Sequence, residues 1–129
     1  MGLNAATPKI DEPANIRRVL RIARNAALFR SMSRSVLSDL VGRSRHVFYD
    51  AGDIIVNQGD DDSCVYLVLA GRVRVFHRQQ GPAGDAIAEL DPGEIFGELA
   101  ILETQLRSAT VLTIEPTSCL RVYRPSSPL

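Results

Sequence analysis

The chain contains few of the residues that build reactive or covalently cross-linked sites. Its 129 residues include two cysteines, two histidines and no tryptophan. Cys64 and Cys119 lie in alternating apolar segments and lack metal-ligand spacing. We therefore expect two buried, reduced thiols, which are typical of a cytoplasmic protein. Neither a disulfide scaffold nor a zinc site is indicated.

Long hydrophobic runs are also missing. No apolar run approaches the roughly 20 residues that a bilayer-spanning helix needs. Residues 1–18 lack a basic segment followed by an apolar core, so no secretory signal is expected. Hydrophobic residues make up 45% and charged residues 23% of the chain, a balance typical of a single globular domain of this length. These features favour a cytoplasmic location.

Common catalytic motifs are absent from the sequence. None of the patterns G-x-S-x-G, HExxH, GxxxxGK[ST] or GxGxxG occurs. His46 and His77 each lie in strand-like sequence, and we expect surface or half-buried structural roles for both. The run 60–62 of three aspartates lacks the alternate ligands and distant glutamate of a calcium loop, which favours a solvated turn. We expect no enzyme activity, no metal and no cofactor.

The formal net charge is zero, but the charges are unevenly distributed. Residues 1–49 hold nine Lys or Arg against three Asp or Glu, a balance of +6, and residues 50–129 hold six against twelve, a balance of −6. Such asymmetry occurs in nucleic-acid or membrane arms, but a solvated helix face or an internal contact is the commoner cause. The case for nucleic acid is weak, because the arginine-rich helix lacks a second helix placed for a groove.

The apolar spacing divides the chain into four segments. We expect residues 1–12 to be disordered, 13–45 to form helices, 46–124 to form a β-domain, and 125–129 to be a tail. Pro13 suits the first turn of the first helix, and Ser33 suits the N-cap of a second helix that ends before Gly42. After Arg45 the period changes from about 3.6 to 2, with glycine- and proline-rich turns, which indicates a β-sandwich or barrel.

Residues 96–111, FGELAILETQLRSATV, combine features of an anion site. Gly97 lets the backbone approach a ligand, and the free N–H groups of a short helix over residues 98–106 would face an anion. Arg107 carries a planar fork suited to phosphate, and Ser108 adds a hydroxyl donor. Glu98 fits only if the ligand also offers a hydroxyl group, as a ribose does. The alternative is an ion pair between Glu98 and Arg107 that merely closes the turn.

These residues resemble the phosphate-binding cassette of the cyclic nucleotide-binding domain family. The family pattern is F-G-E-[LI]-A followed by R-[STA]-A-T-V, with nine positions from Glu to Arg. The chain has Phe96 to Ala100 in the first part and Arg107 to Val111 in the second. The similarity extends from about residue 28 to 124 and includes glycines at positions 52, 59, 71, 93 and 97.

The resemblance implies an eight-stranded antiparallel β-roll of the jelly-roll type with flanking helices. It implies a regulatory domain that binds cAMP or cGMP and passes the signal to a partner or attached domain. Arg107 would hold the cyclic phosphate, and Glu98 would accept a hydrogen bond from the ribose 2′-hydroxyl. Ser108 would reach phosphate or a guanine. The remaining candidates along the motif are Gly97, Leu99, Ala100 and Ala109.

Two departures from the family pattern lead to an alternative function. Leu106 stands where the family usually has proline before the arginine. Pro125 and Pro128 cannot extend a helix from Arg124, so the C-terminal lid helix of the family is predicted to be missing. The alternative function is a ligand-independent interaction module in which residues 13–45 form the docking surface for an effector.

Overall fold

The computed structural model of the protein describes residues 5–23, 27–59, 64–77, 88–97 and 109–123. Its helices are α1 (Ile16–Ala23), α2 (Ala27–Arg30) and α3 (Arg34–Gly42). Its strands are β1 (Ile10–Pro13), β2 (Arg45–Tyr49), β3 (Ile54–Val56), β4 (Cys64–Ala70), β5 (Val73–Phe76), β6 (Ala88–Leu90), β7 (Ile95–Phe96), β8 (Thr110–Thr113) and β9 (Thr117–Tyr123).

The strands form two antiparallel sheets. One has five strands in the order β1-β2-β9-β4-β7, and the other has four in the order β3-β8-β5-β6. Counted from β2 onward, the described residues contain eight strands, which is the number the resemblance implied. The predicted fold class, an antiparallel β-roll with flanking helices, is confirmed.

Two apolar clusters bury the faces of the five-stranded sheet. The helix-side core lies between this sheet and the three helices, and the inter-sheet core lies between the two sheets. The helix-side core comprises Val19, Phe29, Leu37, Val41, Val65, Leu67, Leu69, Leu120 and Val122. The inter-sheet core comprises Val47, Tyr49, Ile55, Val56, Tyr66, Val68, Val73, Phe96, Val111 and Cys119.

Strand β4 shows how the sequence produces this arrangement. Successive side chains of a strand point to opposite faces, so Val65 and Leu67 enter the helix-side core while Tyr66 and Val68 enter the inter-sheet core. A strand buried on both faces reads as a continuous apolar run rather than an alternating one. The sequence CVYLVLA is such a run, and it places β4 in the interior of the sheet.

The prediction that residues 1–12 are disordered is wrong for residues 10–12. They belong to β1, which pairs antiparallel with β2 at the edge of the five-stranded sheet. Further N-terminally, the amide of Lys9 donates to the carbonyl of Phe48 at 2.6 Å, and that of Ala6 donates to the carbonyl of Ile54 at 2.7 Å. The edges of β2 and β3 supply backbone carbonyls that accept these hydrogen bonds and order the segment. The other proposed segment boundaries stay predictions.

The start of the first helix also differs from the prediction. Pro13 ends β1 instead of opening a helix, and prolines are tolerated at such edge positions. Helix α1 begins at Ile16, where the side-chain oxygen of Asn15 accepts a hydrogen bond from the amide of Arg18 at 3.2 Å. Asparagine is a favoured N-cap residue, so the start signal lies two positions beyond the proline.

The second predicted helix start is confirmed. Ser33 caps α3, and its hydroxyl accepts a hydrogen bond from the amide of Val36 at 3.2 Å. Leu37 and Val41 are buried against the sheet, as the apolar spacing predicted. None of the described helices is long and apolar enough to cross a membrane.

The two histidines have different environments. His77 is exposed, as predicted, but His46 is buried, so the expectation of a surface or half-buried position is wrong for it. The His46 ring stacks on Phe48 with centroids 4.3 Å apart, and its direct partner on β9 is Leu120 of the helix-side core. Burial lowers the pKa of His46, and the nearby Arg18 adds to this effect.

The cysteines are both free thiols, and only one is fully buried. Cys119 has no exposed surface, and this burial raises the pKa of its thiol to about 12. Cys64 is half-buried at the start of β4, so the prediction of full burial is wrong for it.

Candidate functional site

The candidate site spans the connection between β7 and β8. Five of its predicted residues, Glu98, Leu99, Ala100, Arg107 and Ser108, lie outside the described residues, as do the predicted short helix over 98–106 and the lid region over 124–129. Gly97 and Ala109 are described, and they stand immediately before and after the undescribed connection. The structure therefore defines the two ends between which the predicted ligand residues lie.

Gly97 forms the first end of the site. Its φ is +85°, a left-handed value that side-chain-bearing residues adopt only with strain. The five glycines that carried the family resemblance, at positions 52, 59, 71, 93 and 97, all have positive φ. Gly97 adopts this conformation directly after the last residue of β7.

An aromatic pair fixes the strand that leads to Gly97. Tyr66 on β4 and Phe96 on β7 are direct cross-strand partners. Their rings stack almost parallel, at an interplanar angle of 4° and a centroid distance of 4.9 Å. Tyr66 is 3% exposed and Phe96 6%, and such pairs contribute roughly 0.5–1.5 kcal/mol beyond their buried area. The short strand β7 is therefore held by side-chain packing as well as by backbone pairing.

Ala109 and Thr110 form the second end of the site. Ala109 is half-buried, and Thr110 is 1% exposed. The Thr110 hydroxyl donates to Asn57 Oδ1 at 3.2 Å and accepts from the backbone amide of Gln58 at 3.0 Å. Thr110 was not a predicted site residue, although it belongs to the quoted motif. Its two hydrogen bonds fix the point where the chain re-enters a strand, three positions after Arg107.

The two ends belong to different sheets. Gly97 follows β7 in the five-stranded sheet, whereas Ala109 precedes β8 in the four-stranded sheet. Phe96 and Val111, which flank the connection, both contribute to the inter-sheet core. The connection that carries Glu98 and Arg107 thus starts on one layer of the roll and ends on the other.

A charged cluster on the inner face of the five-stranded sheet was missed by the sequence reasoning. Arg45 on β2 and Arg121 on β9 are direct cross-strand partners. The carboxylate of Asp11 on β1 accepts from Arg45 Nε at 2.6 Å and from Arg121 Nη2 at 2.8 Å. These hydrogen bonds, that from Arg45 above all, hold the pKa of Asp11 below its usual range.

Arg121 is the most enclosed member of this cluster. Its side chain is 17% exposed, and its guanidinium carbon lies 5.3 Å from the centroid of the Tyr123 ring. Burial alone would lower the pKa of Arg121, but the neighbouring Tyr123, Tyr66, Asp11 and Tyr49 outweigh it and raise the pKa. The guanidinium therefore stays charged. Elsewhere in the described part of the chain, no three His, Cys, Asp or Glu side chains are placed to hold a metal ion.

Comparison with known families shows which family the chain belongs to. Residues 46–126 match the family model described as cyclic nucleotide-binding domain. The chain belongs to this family. The resemblance inferred from the FGELA and RSATV motifs is confirmed, and the matched range contains both ends of the candidate site. Members of the family are regulatory ligand-binding domains, and some are attached to catalytic domains.

Individual relatives agree with this assignment. The chain is 40% identical to the cyclic AMP receptor protein of Thermus thermophilus over 76 residues, which are 59% of this chain and 35% of that protein. It is 28% identical to cGMP-dependent protein kinase 2 of Homo sapiens over 103 residues, 78% of this chain and 14% of that protein. The chain therefore corresponds to about a third or less of the length of these relatives.

Solved structures show the same fold. The regulatory domain of Toxoplasma gondii PKA, crystallised with cAMP, superposes with a TM-score of 0.77 at 25% sequence identity. The superposition covers 84% of this chain and 41% of that one. Most of this chain thus shares its fold with that regulatory domain.

Proposed function

We propose that this domain binds a cyclic nucleotide, cAMP or cGMP, in the connection between β7 and β8, and that it catalyses no reaction. The observation that carries the proposal is the family membership together with a complete pair of ligand-binding positions, Glu98 and Arg107. Curated relatives include a cyclic AMP receptor and a cGMP-dependent kinase, so both nucleotides are retained. The proposal places the domain in the cytoplasm, which its free thiols support.

The proposed binding follows from the chemistry of the ligand. A cyclic phosphate carries one negative charge and presents two exocyclic oxygens, which the forked guanidinium of Arg107 matches. Glu98 accepts the proton of the ribose 2′-hydroxyl in a hydrogen bond. The backbone amides of Gly97, Leu99 and Ala100 and the hydroxyl of Ser108 complete the phosphate contacts, with Ala109 closing the motif. The positive φ of Gly97 supports the first of these backbone roles.

The proposed output is a rearrangement rather than a reaction. Capture of the phosphate shifts the connection that carries Arg107, and the shift passes to the flanking helices and from there to a partner or attached domain. The ligand supplies this shift only to the extent that it binds one arrangement more tightly than the other.

Binding is tested by thermal stability and by calorimetry. Saturating cAMP or cGMP raises the melting temperature, because a ligand that binds only the native state stabilises it by about 2.7 kcal/mol at a concentration 100 times its Kd. Noncyclic AMP and GMP serve as ligand controls. Absence of both a melting shift and a heat of binding with either cyclic nucleotide at millimolar concentration would refute the proposal.

Substitution of the phosphate ligand sharpens the test. Arg107→Ala weakens cyclic nucleotide binding by about 2–5 kcal/mol, because a desolvated phosphate loses its charge-assisted partner. Arg107→Lys keeps the charge but loses the forked N–H donors of the guanidinium, so its affinity should lie between those of Arg107→Ala and the wild type. The matched control is Arg43→Ala, which removes an exposed arginine whose nearest ion-pair partner is Asp39 on the same helix. Equal affinities for the Arg107→Ala and Arg43→Ala variants would contradict the assignment.

The alternative function is a ligand-independent interaction module, and one observation favours it. Arg17, Arg18 and Arg21 are exposed on α1, and the first turn of this helix contains no acidic residue. Arg17 and Arg18 lie in the first turn, where cations oppose the helix dipole. Arg21 lies in the last turn, and like charges three and four residues apart on a helix repel one another. A surface of this kind suits an acidic effector. The melting experiment distinguishes the two functions, since cyclic nucleotide does not change the melting temperature of a ligand-independent interaction module.

A further inference from the structure

One row of side chains crosses the whole inner face of the five-stranded sheet. The partners in this row lie directly opposite one another on neighbouring strands. The row begins on the N-terminal strand β1 and ends at the residue before Gly97. Its members, in order, are Pro13, Arg45, Arg121, Tyr66 and Phe96.

The first half of the row depends on one carboxylate. Arg45 and Arg121 are like charges in direct cross-strand contact, an arrangement that destabilises a sheet. Asp11 lies two residues before Pro13 and therefore on the same face of β1. Its two oxygens accept from both guanidinium groups, and its backbone carbonyl accepts from Arg45 Nη2 at 2.9 Å. All four residues of β1 are exposed, so backbone pairing with β2 and these side-chain contacts hold the strand rather than apolar burial.

The second half of the row leads to the candidate site. Arg121 is the cross-strand partner of Tyr66, and Tyr66 stacks on Phe96, the neighbour of Gly97. The Nε–H of Arg121 is buried and has no hydrogen-bond partner within the described part of the chain. The Arg121 guanidinium is hydrogen-bonded to Asp11 and lies 5.3 Å from the centroid of the Tyr123 ring, and Arg121 is the direct cross-strand partner of Tyr66.

We propose that the row couples the docking of β1 to the conformation of Phe96 and Gly97, and thereby makes β1 an output element of the nucleotide site. Asp11, Arg121 and Tyr66 act in it as positioning residues. The coupling itself stands on the geometry of the row, and its use as an output rests on the proposed cyclic nucleotide binding. Because coupling between two sites is reciprocal, release of β1 changes nucleotide affinity by the same factor by which nucleotide changes the docking of β1.

The coupling is tested first without nucleotide. Asp11→Asn removes the charge that separates the two arginines while leaving the core intact. We expect amide hydrogen exchange at Phe96 and Gly97 to accelerate about fivefold or more, the lower end of ordinary coupling between sites. Asp11→Glu restores a carboxylate and recovers the slow exchange in part.

Glu12→Gln is the matched control for this test. It removes the same charge from the adjacent residue of β1, which lies on the opposite face, across from His46. Exchange at Phe96 and Gly97 in this variant stays at the wild-type rate. Equal exchange rates at β7 in the Asp11→Asn and Glu12→Gln variants would overturn the coupling, whatever the domain binds.

The second arm adds cAMP and cGMP. The affinity of Asp11→Asn for the nucleotide differs from that of the wild type by about fivefold or more, and saturating nucleotide changes exchange at Asp11 and Glu12 by the same factor in the wild type. Wild-type protein that binds nucleotide with no change at β1 overturns the output role alone. Wild-type protein that binds neither nucleotide overturns the proposed function and the output role, and the nucleotide-free arm still decides the coupling.

Discussion

The two faces of the five-stranded sheet are built on different principles. The face beneath the helices is apolar, and the buried polar residues on its strands are His46 and Ser118. The inner face carries an apolar centre as well, but it also holds the ion-paired row of Asp11, Arg45 and Arg121. Apolar contacts are non-directional, whereas the hydrogen bonds of the charged residues join specific atoms. Both faces contribute buried apolar contacts to stability, and the inner face also carries the row of partners that ends at Phe96.

The largest predicted effect is a loss of stability when the helix-side core is disrupted. Leu120→Ala empties a fully buried position of the helix-side core. It lowers the free energy of unfolding by about 2–5 kcal/mol, as measured by denaturant titration. Cyclic nucleotide affinity of the folded variant stays at the wild-type value, because Leu120 faces away from the site. A large loss of affinity in the folded variant would remove the distinction between the faces.

A smaller effect is expected where the chain leaves the candidate site. Thr110→Val keeps the shape of the side chain but removes both hydrogen bonds of a buried hydroxyl. Loss of the hydrogen bonds to the Gln58 amide and the Asn57 side chain costs about 1–3 kcal/mol of stability. Calorimetry should also show weaker nucleotide binding, since the strand that follows Arg107 loses its anchor. Leu112→Ala on the same strand is the comparison, because Leu112 is only half-buried. Unchanged affinity in Thr110→Val would separate this anchor from the ligand site.

The smallest effect concerns pH and His46. Because burial lowers the pKa of His46 in the folded state below 6.5, the unfolded chain takes up the proton first as the pH falls. The contribution of neutral His46 to stability is therefore complete above about pH 6.5 and declines below it until the folded pKa is reached. His46→Gln should flatten this part of the stability profile. The exposed His77 provides the matched control, and a flattened profile in His77→Gln instead of His46→Gln would contradict the assignment.

The fold was largely predictable because its strands carry local signals. The alternating segments after Arg45, the five turn glycines and the Ser33 cap each act within a few residues of themselves. Strand β1 was not predictable, since its sequence IDEP contains a proline and no alternation. It forms through backbone pairing with β2 and through the contacts of Asp11 with Arg45 and Arg121, which lie 34 and 110 positions away along the chain. The burial of His46 was missed for the same reason, because the helices that cover its face come from another segment.

The residues of the candidate site also differ in whether the sequence could predict them. The motif residues Gly97, Glu98 and Arg107 are adjacent in the sequence pattern, so the resemblance identified them, and the ligand roles of Glu98 and Arg107 stay predictions. The Tyr66–Phe96 stack and the Asp11–Arg121 contact depend on register across the five strands of this sheet. No local pattern encodes that register, because a one-residue slip would place every side chain on the other face.

The connection between β7 and β8 has a consequence for the lifetime of the folded domain. Since Gly97 follows a strand of one sheet and Ala109 precedes a strand of the other, a nucleotide that binds Glu98 and Arg107 as proposed would connect the two layers. The two layers would then separate only after the ligand dissociates. Such a connection lowers the rate of unfolding. The liganded domain should therefore resist proteolysis for as long as the nucleotide stays bound, and the residence time of the ligand should set the rate at which the protein is degraded.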